Sequence, residues 1–359
     1  MGYLLRGYGT GWLGQLRAQA DLGHDPLIDV NYELPSYIHT PFCGSYLDLP
    51  DVSVEITVEN QGGLNVVRRR FRTPAGDLSD VIVMARPNVG YGGSPTPERR
   101  ENLVKEPRDV DRLRFLLPDP QHFSHTNWRE IQEIIGERGI LQVHPRPGLE
   151  FNRLVTDSLG IANCMIAFYE DRAMFDHLLH IIAGYFERLT RAMCEQGAPI
   201  VFVSWHDFGV SAGWSPRIYR EAFKPLIKSN VDLVHSYGRL YHYFDHGKIM
   251  PILPDIGEMG VDIYSALCPP PVADGDMTEA KRLIAGQTCI NGNIDVIYVL
   301  QRGMPEQVRE VVRQVIVHGA PGGGFILGTS DAVLDGTPQE NIDAYFGAAR
   351  EFGRYPISL

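Results

Sequence analysis

The chain has 359 residues, enough to bury a large core, with 44% hydrophobic and 21% charged residues and a net charge of −11. That balance argues against nucleic acid or an anionic membrane as the main partner, because both call for a basic face. No apolar run reaches the roughly 18–20 residues that span a bilayer, the N-terminus lacks the pattern of a secretory leader, and five scattered cysteines form no C-x-x-C pair, so a reducing cytoplasm is the expected compartment.

In chain order, the first clear signal is antiparallel β structure from Val52 to Ala85. "VSVEITVE" alternates, "NQGG" turns, and "LNVVRRRFRT" alternates again. Arg68, Arg69 and Arg70 are expected to form a solvated face. "RPNVGYGGSPTPERR" reads as a loop.

Beyond Pro107 the pattern becomes strand and helix in turn. "GILQVH" is a short strand ending at His144, followed by a long amphipathic helix that Gly197 closes. "APIVFVSWHDFG" is a buried strand running out at His206 and Asp207. "SPRIYREAFKPLIKSNVDLVHSYG" is a helix with Ser215 as N-cap and Pro216 at its first position. The strands "RLYHYFDHG", "VDIYSALC", "QTCINGNID" and "GGGFILGTSD" alternate with helices that end in "TPQENIDAYFGAAREFG". This alternation implies parallel strands with helical crossovers. The predicted architecture is a single (βα)8 TIM-type barrel over 1–359, with an antiparallel β insertion over 52–95. A doubly wound sheet is second, since no G-x-G-x-x-G follows a strand.

Within "LYHYFDHGKI", His242 to His246 reads H-x-x-D-H, close to an inverted zinc-protease signature. That motif needs a helix, whereas this segment lies between Gly238 and Gly247 and is rich in Tyr and Phe. It is a strand end.

Active sites of barrels sit at the C-terminal ends of the strands. Those ends deliver His144, then His206 and Asp207, then His242, Asp245 and His246. Cys268 follows, then Asn291, Asn293 and Asp295, and last Thr329, Ser330 and Asp331. Converging imidazoles and carboxylates bind a divalent metal or share protons. His144, His206 and Asp207 are the candidate catalytic residues, and Asn291, Asn293 and Ser330 the candidate substrate contacts. Cys268 reads as a buried, inert thiol.

The ordered segments "VKEPRDVDRLRFLLPDP", "SPRIYREAFKPLIK", "HGKIMPILPDIGEMGVDI", "EAKRLIAGQTCINGNIDV", "GGGFIL" and "TPQENIDAYFGAAREFGRYP" resemble the uroporphyrinogen decarboxylase superfamily, which includes corrinoid-linked methyltransferases. The resemblance implies a TIM-type barrel whose first strand is expected to be short, irregular or absent. The methyltransferase branch carries a zinc site of the form His-x-Cys-Gly with a second Cys before the T-P-x-E-N helix. Here His246 and Asp331 occupy the two thiolate positions, and His242 is the third expected ligand, with Asp207 as its substitute. His and carboxylate form a harder Lewis acid site than thiolates. In a second reading of the resemblance, the metal is lost and His246 and Asp331 act as an acid–base pair.

Taken with these residues, the resemblance implies a methyltransferase that moves a methyl group from a small methoxylated or methylamino donor to a cobamide. No D-x-H-x-x-G signature occurs, so the cobamide is expected on a separate corrinoid protein. The rivals are a metal-independent decarboxylase or lyase using His206 and Asp207, and a non-catalytic barrel that binds a ligand. A homodimer is compatible with all three.

Overall fold

The computed structural model describes residues 12–22, 25–32, 49, 51–85, 98–117, 119–120, 128–145, 151–206, 214–334 and 336–357. Its strands are β1 (Leu27–Tyr32), β2 (Ser53–Gln61), β3 (Leu64–Thr73), β4 (Gly76–Ala85), β5 (Glu98–Glu101), β6 (Ile140–Pro145), β7 (Ile200–His206), β8 (Leu240–Asp245), β9 (Ile263–Leu267), β10 (Cys289–Ile294) and β11 (Phe325–Thr329). By internal contacts the chain divides into two compact units, residues 1–30, 127–144 and 194–359, and residues 31–126 and 145–193.

The first unit holds a seven-stranded sheet in the order β1-β6-β7-β8-β9-β10-β11. The ladders from β6 to β11 are parallel. Helices return the chain between strands, as parallel pairing requires. Helix Pro305–Gly319 turns Val308, Val312, Val315 and Ile316 inward, and every residue of β9 is buried, the pattern of a strand covered on both faces.

The expected helix after Ser215 is interrupted. Ser215 caps it, its Oγ accepting from Ile218 N at 3.2 Å. A π segment, Tyr219–Phe223, then precedes the α-helix Lys224–Ser236. Pro225 explains the break. It has no N–H to give to Glu221, and its ring would collide with that carbonyl in a regular helix.

The expected eight-stranded closed barrel is corrected to an open seven-stranded sheet. Among the described residues, β1 and β11 are its two edges. The reason lies in helix Trp12–Leu22, one turn of which carries two glutamines. Gln19 takes Leu27 N at 2.7 Å and gives to Leu27 O at 2.8 Å. Gln15 does the same for Asp29 N and O, both at 2.9 Å. On the opposite side of β1, Pro26 O accepts from Ile140 N beside β6. Leu27 and Asp29 on the free edge of β1 are therefore satisfied by side-chain amides, and an eighth ladder has no donors or acceptors at those residues to use.

The second unit contains the antiparallel sheet β2-β3-β4-β5. Gly62 and Gly63 both have positive φ, 57° and 96°, the geometry of a two-residue hairpin turn whose twist matches its strands. The sequence-based hairpin gains two further strands. The triple-arginine face is also corrected. Strand alternation leaves Arg68 and Arg70 exposed but turns Arg69 inward, 3% exposed. There Arg69 Nε bonds Asp80 Oδ1 at 2.8 Å. Arg99 bridges Asp80 at 2.9 Å and Asp157 at 3.1 Å, tying the sheet to helix Phe151–Leu159. Among the described residues no helix is long and apolar enough to cross a membrane.

Candidate functional site

The parallel sheet encloses a cavity of about 1220 Å³. One register position of all seven strands faces it: the third residue of each, giving Asp29, Gln142, Phe202, His242, Ser265, Asn291 and Leu327. Both edge strands share this lining, so the sheet curls around the space. Nearer the C-terminal ends, His144, Phe244, Thr329 and Asp331 form a second layer.

The first layer is mostly polar, and four of its members form a chain. Gln142 Nε2 donates to Asp29 Oδ1. Gln142 Oε1 meets His242 Nδ1 at 2.7 Å, and His242 Nε2 meets Ser265 Oγ at 2.5 Å. Phe202 stands edge-on to the His242 ring, with centroids 4.7 Å apart. His242 is 2% exposed. Burial first, and the neighbouring His144 second, push its pKa down to about 3, so the imidazole is neutral.

Space for this layer is built into the backbone. The β9–β10 register slips after Asn291, passing from Ser265 to Leu267, and Ala266 sits in the bulge with φ 76°. Ser265 and Ala266 consequently both face the cavity. Across the sheet, a Cβ at Gly328 would lie 2.0 Å from Asn291 Oδ1, so only glycine there leaves room for that amide.

The expected site residues are distributed as follows. His144 faces the cavity, edge-on to Phe202 at 5.4 Å. His206 ends β7 with its backbone opposite Asp245; its side chain, and all of Asp207, lie outside the described residues. Asn291 lines the cavity, whereas Asn293 is 5% exposed and gives its amide to Gly275 O at 3.4 Å. Ser330 is buried, and its hydroxyl meets the Cys268 thiol. Burial pushes that thiol's pKa up, the Ser330 bond opposes the shift, and Asp295, Asp331 and Asp274 add to it, the condition of an inert thiol. Asp245 turns to the other face of β8, where Tyr243 donates to its carboxylate at 3.1 Å.

The expected metal trio is not assembled. Both nitrogens of His242 are engaged by Gln142 and Ser265. His246 stacks edge-on against Phe244 at 5.6 Å. Asp331 is exposed at the rim, where its Oδ1 takes Ala332 N at 2.6 Å. Among the described residues, no three His, Cys, Asp or Glu side chains come together to hold a metal ion. Among the described residues, His242, His246 and Asp331 do not form the zinc site that the family resemblance implies, and Asp207, the substitute ligand, lies outside them.

Asp29, Gln142, Phe202, Phe244 and Ser265 were not anticipated. For all but Phe244, which lies two residues further along β8, the signal is a polar or aromatic residue at the third position of a short apolar strand, as in "LIDV", "ILQV" and "IYSAL".

Residues 153–352 match the family described as "Uroporphyrinogen decarboxylase (URO-D)". The chain belongs to the uroporphyrinogen decarboxylase family. Within it, the chain is 30% identical over 321 residues to a uroporphyrinogen decarboxylase of Prochlorococcus marinus (strain MIT 9211), covering 84% of this chain and 83% of that one. It is 33% identical over 156 residues to a methylated-thiol–coenzyme M methyltransferase of Methanosarcina mazei; that match covers 43% of this chain and 38% of the relative's length. The fold of this family member is similar to that of a methyltransferase from Methanosarcina mazei, with a TM-score of 0.61 at 14% identity, over 98% of this chain and 91% of the other.

Proposed function

We propose that the cavity of this uroporphyrinogen decarboxylase family member binds a small methoxylated or methylamino donor and gives up its methyl group to a separate corrinoid protein. One observation carries the choice: the described strand residues facing the cavity are neutral or acidic. Asp29 is the charged one among them; Asp331 follows β11, and the arginines of the lining, Arg138, Arg350 and Arg354, lie before β6 and in and after the last helix. A decarboxylase acting on a polycarboxylated tetrapyrrole needs cations against the substrate carboxylates. A small neutral or cationic donor needs none.

The Phe202 and Phe244 rings supply apolar walls that exclude water from the methyl group. When the methyl–heteroatom bond breaks, the heteroatom keeps the electron pair and needs a proton. His144, facing the cavity beside Phe202, is the imidazole placed to provide it, with His206 and Asp207 as the further proton pair. The methyl acceptor in this reading is a cobamide whose metal supplies the nucleophile. In this reading it is carried by a separate corrinoid protein. No step is assigned to a metal bound by this protein.

The test pairs the purified protein with chemically reduced free cobalamin and a panel of methoxylated and methylamino aromatics. Donor-dependent loss of the reduced cobalamin spectrum, with a matching amount of demethylated product, is expected. His144→Gln should slow it about a hundredfold or more. Uroporphyrinogen turnover without any methyl transfer would instead assign the protein to decarboxylation, the activity named for its relative of 30% identity over 84% of the chain.

A further inference from the structure

We infer that Asp29, Gln142, His242 and Ser265 form a one-way hydrogen-bond relay that presents the Ser265 oxygen to the cavity as an acceptor, and so selects a substrate that donates an O–H or N–H there and rejects a carboxylate. The inference rests on the cavity being the substrate site, and it names the substrate's chemistry at that site.

The direction follows from donor and acceptor inventory alone. A carboxylate only accepts, so the group Gln142 turns towards Asp29 is its amide nitrogen, as the Nε2–Oδ1 bond has it. The carbonyl Oε1 is then left facing His242 Nδ1 at 2.7 Å. A carbonyl also only accepts, which puts the imidazole proton on Nδ1. A neutral ring with Nδ1–H has a lone pair on Nε2, and the atom 2.5 Å from it is Ser265 Oγ. The serine proton is therefore spent on His242. Only lone pairs remain to face the cavity, which Ser265 lines at 7% exposure.

Reversal would require an imidazolium donating from both nitrogens. His242 is buried at 2% exposure among Phe202, Gln142 and Ser265, with His144 as a titratable neighbour that disfavours its charge, and nothing in that set compensates a positive ring. A charged terminus also polarises the whole chain in one sense. Lone pairs at Ser265 backed by the Asp29 carboxylate repel a substrate carboxylate and attract a hydroxyl or amine proton. The same inventory argues against Ser265 as a nucleophile, because its only base is an imidazole with little basicity.

Two measurements on the full chain test this. The first is nitrogen-15 NMR of the histidine rings, with His242 assigned by the signal lost in His242→Asn. A protonated Nδ1 and an unprotonated Nε2 are expected at neutral pH; an Nε2–H tautomer or an imidazolium would overturn the relay. The second is calorimetric binding of benzyl alcohol, benzylamine, toluene and benzoate, four probes of nearly one shape. Benzyl alcohol and benzylamine should bind about tenfold tighter than toluene, and benzoate most weakly. Ser265→Ala should bring the two donors to the toluene level and leave toluene unchanged. Gln142→Leu should do the same while freeing the tautomer. Benzoate binding as well as benzylamine, or donors indifferent to Ser265→Ala, would sink the inference. Neither readout uses a methyl acceptor. Donor selection without methyl transfer would remove the proposed reaction and keep the relay, and methyl transfer indifferent to Ser265→Ala would do the reverse.

Discussion

His242 is the residue on which folding and site chemistry meet. Its folded-state pKa of about 3 lies far below the ordinary 6.5. Between those values the unfolded chain binds a proton that the folded chain refuses. The stability present above pH 6.5 is therefore lost as the pH falls towards 3. Taken from pH 7 to pH 5, above the range where most carboxylates titrate, this one group should remove about 2 kcal/mol. Urea unfolding of the wild type and His242→Asn at both values checks it. The wild type should lose that increment and the variant should not; equal losses would show that the imidazole is not held neutral. His242 was legible from sequence as a polar residue inside a strand, but its role was not. Its partners lie 100 and 23 residues away, and only the curl of the sheet brings them to one layer. Read at a strand end, it looked like a ligand with a free nitrogen. In the folded protein both nitrogens are spent.

Alternation and helical periodicity identified β6 to β11 and the helices between them other than Phe151–Leu159 and Ile161–Glu170, because the identified segments are long or bounded by Gly and Pro. The edge was harder. "LIDVNY" is a short strand with polar residues on one side, and nothing in it says that two glutamines on the preceding helix complete its hydrogen bonding. That arrangement makes a prediction. Gln15→Ala with Gln19→Ala removes four bonds to Leu27 and Asp29, at a net cost of about 0.5–1.5 kcal/mol each. Urea unfolding should show a total loss of about 2–6 kcal/mol. Hydrogen exchange should accelerate first at the Leu27 and Asp29 amides, and an unchanged rate there would refute the capping role. The antiparallel sheet holds the matching case for ions. Asp80 is 1% exposed between Arg69 and Arg99. Replacing it with Ala leaves two guanidinium groups without their shared carboxylate, a change that costs about 3–5 kcal/mol in buried pairs. Hydrogen exchange in β3 and β4 should report it, and a loss under 1 kcal/mol would mean that water already screens the pair.

Taken as a whole, the molecule carries a net charge of −11, and the described strand residues facing its cavity include the Asp29 carboxylate and no cation, the lining residues Arg138, Arg350 and Arg354 lying outside the strands. Long-range field and local lining thus act in the same sense. A polycarboxylated tetrapyrrole would be slowed on approach by the first and opposed on entry by the second. A small neutral or protonated aromatic meets neither obstacle, and the space of about 1220 Å³ holds it easily. Family membership alone does not separate these cases, because fold and chemistry are separable properties; the charge of the strand lining favours the small donor. A ligand that binds only the folded chain stabilises it by about 2.7 kcal/mol at a hundred times its Kd, which for a chain of this length raises Tm by roughly 3–4 °C. Benzylamine at such an excess should produce that rise, and uroporphyrin at matched concentration should produce none at low ionic strength, where charge repulsion is least screened. A rise with uroporphyrin that persists at low salt would mean that the substrate carboxylates find cations off the strands, Arg138, Arg350 and Arg354 of the lining among them, and would return the protein to the decarboxylases it resembles in sequence.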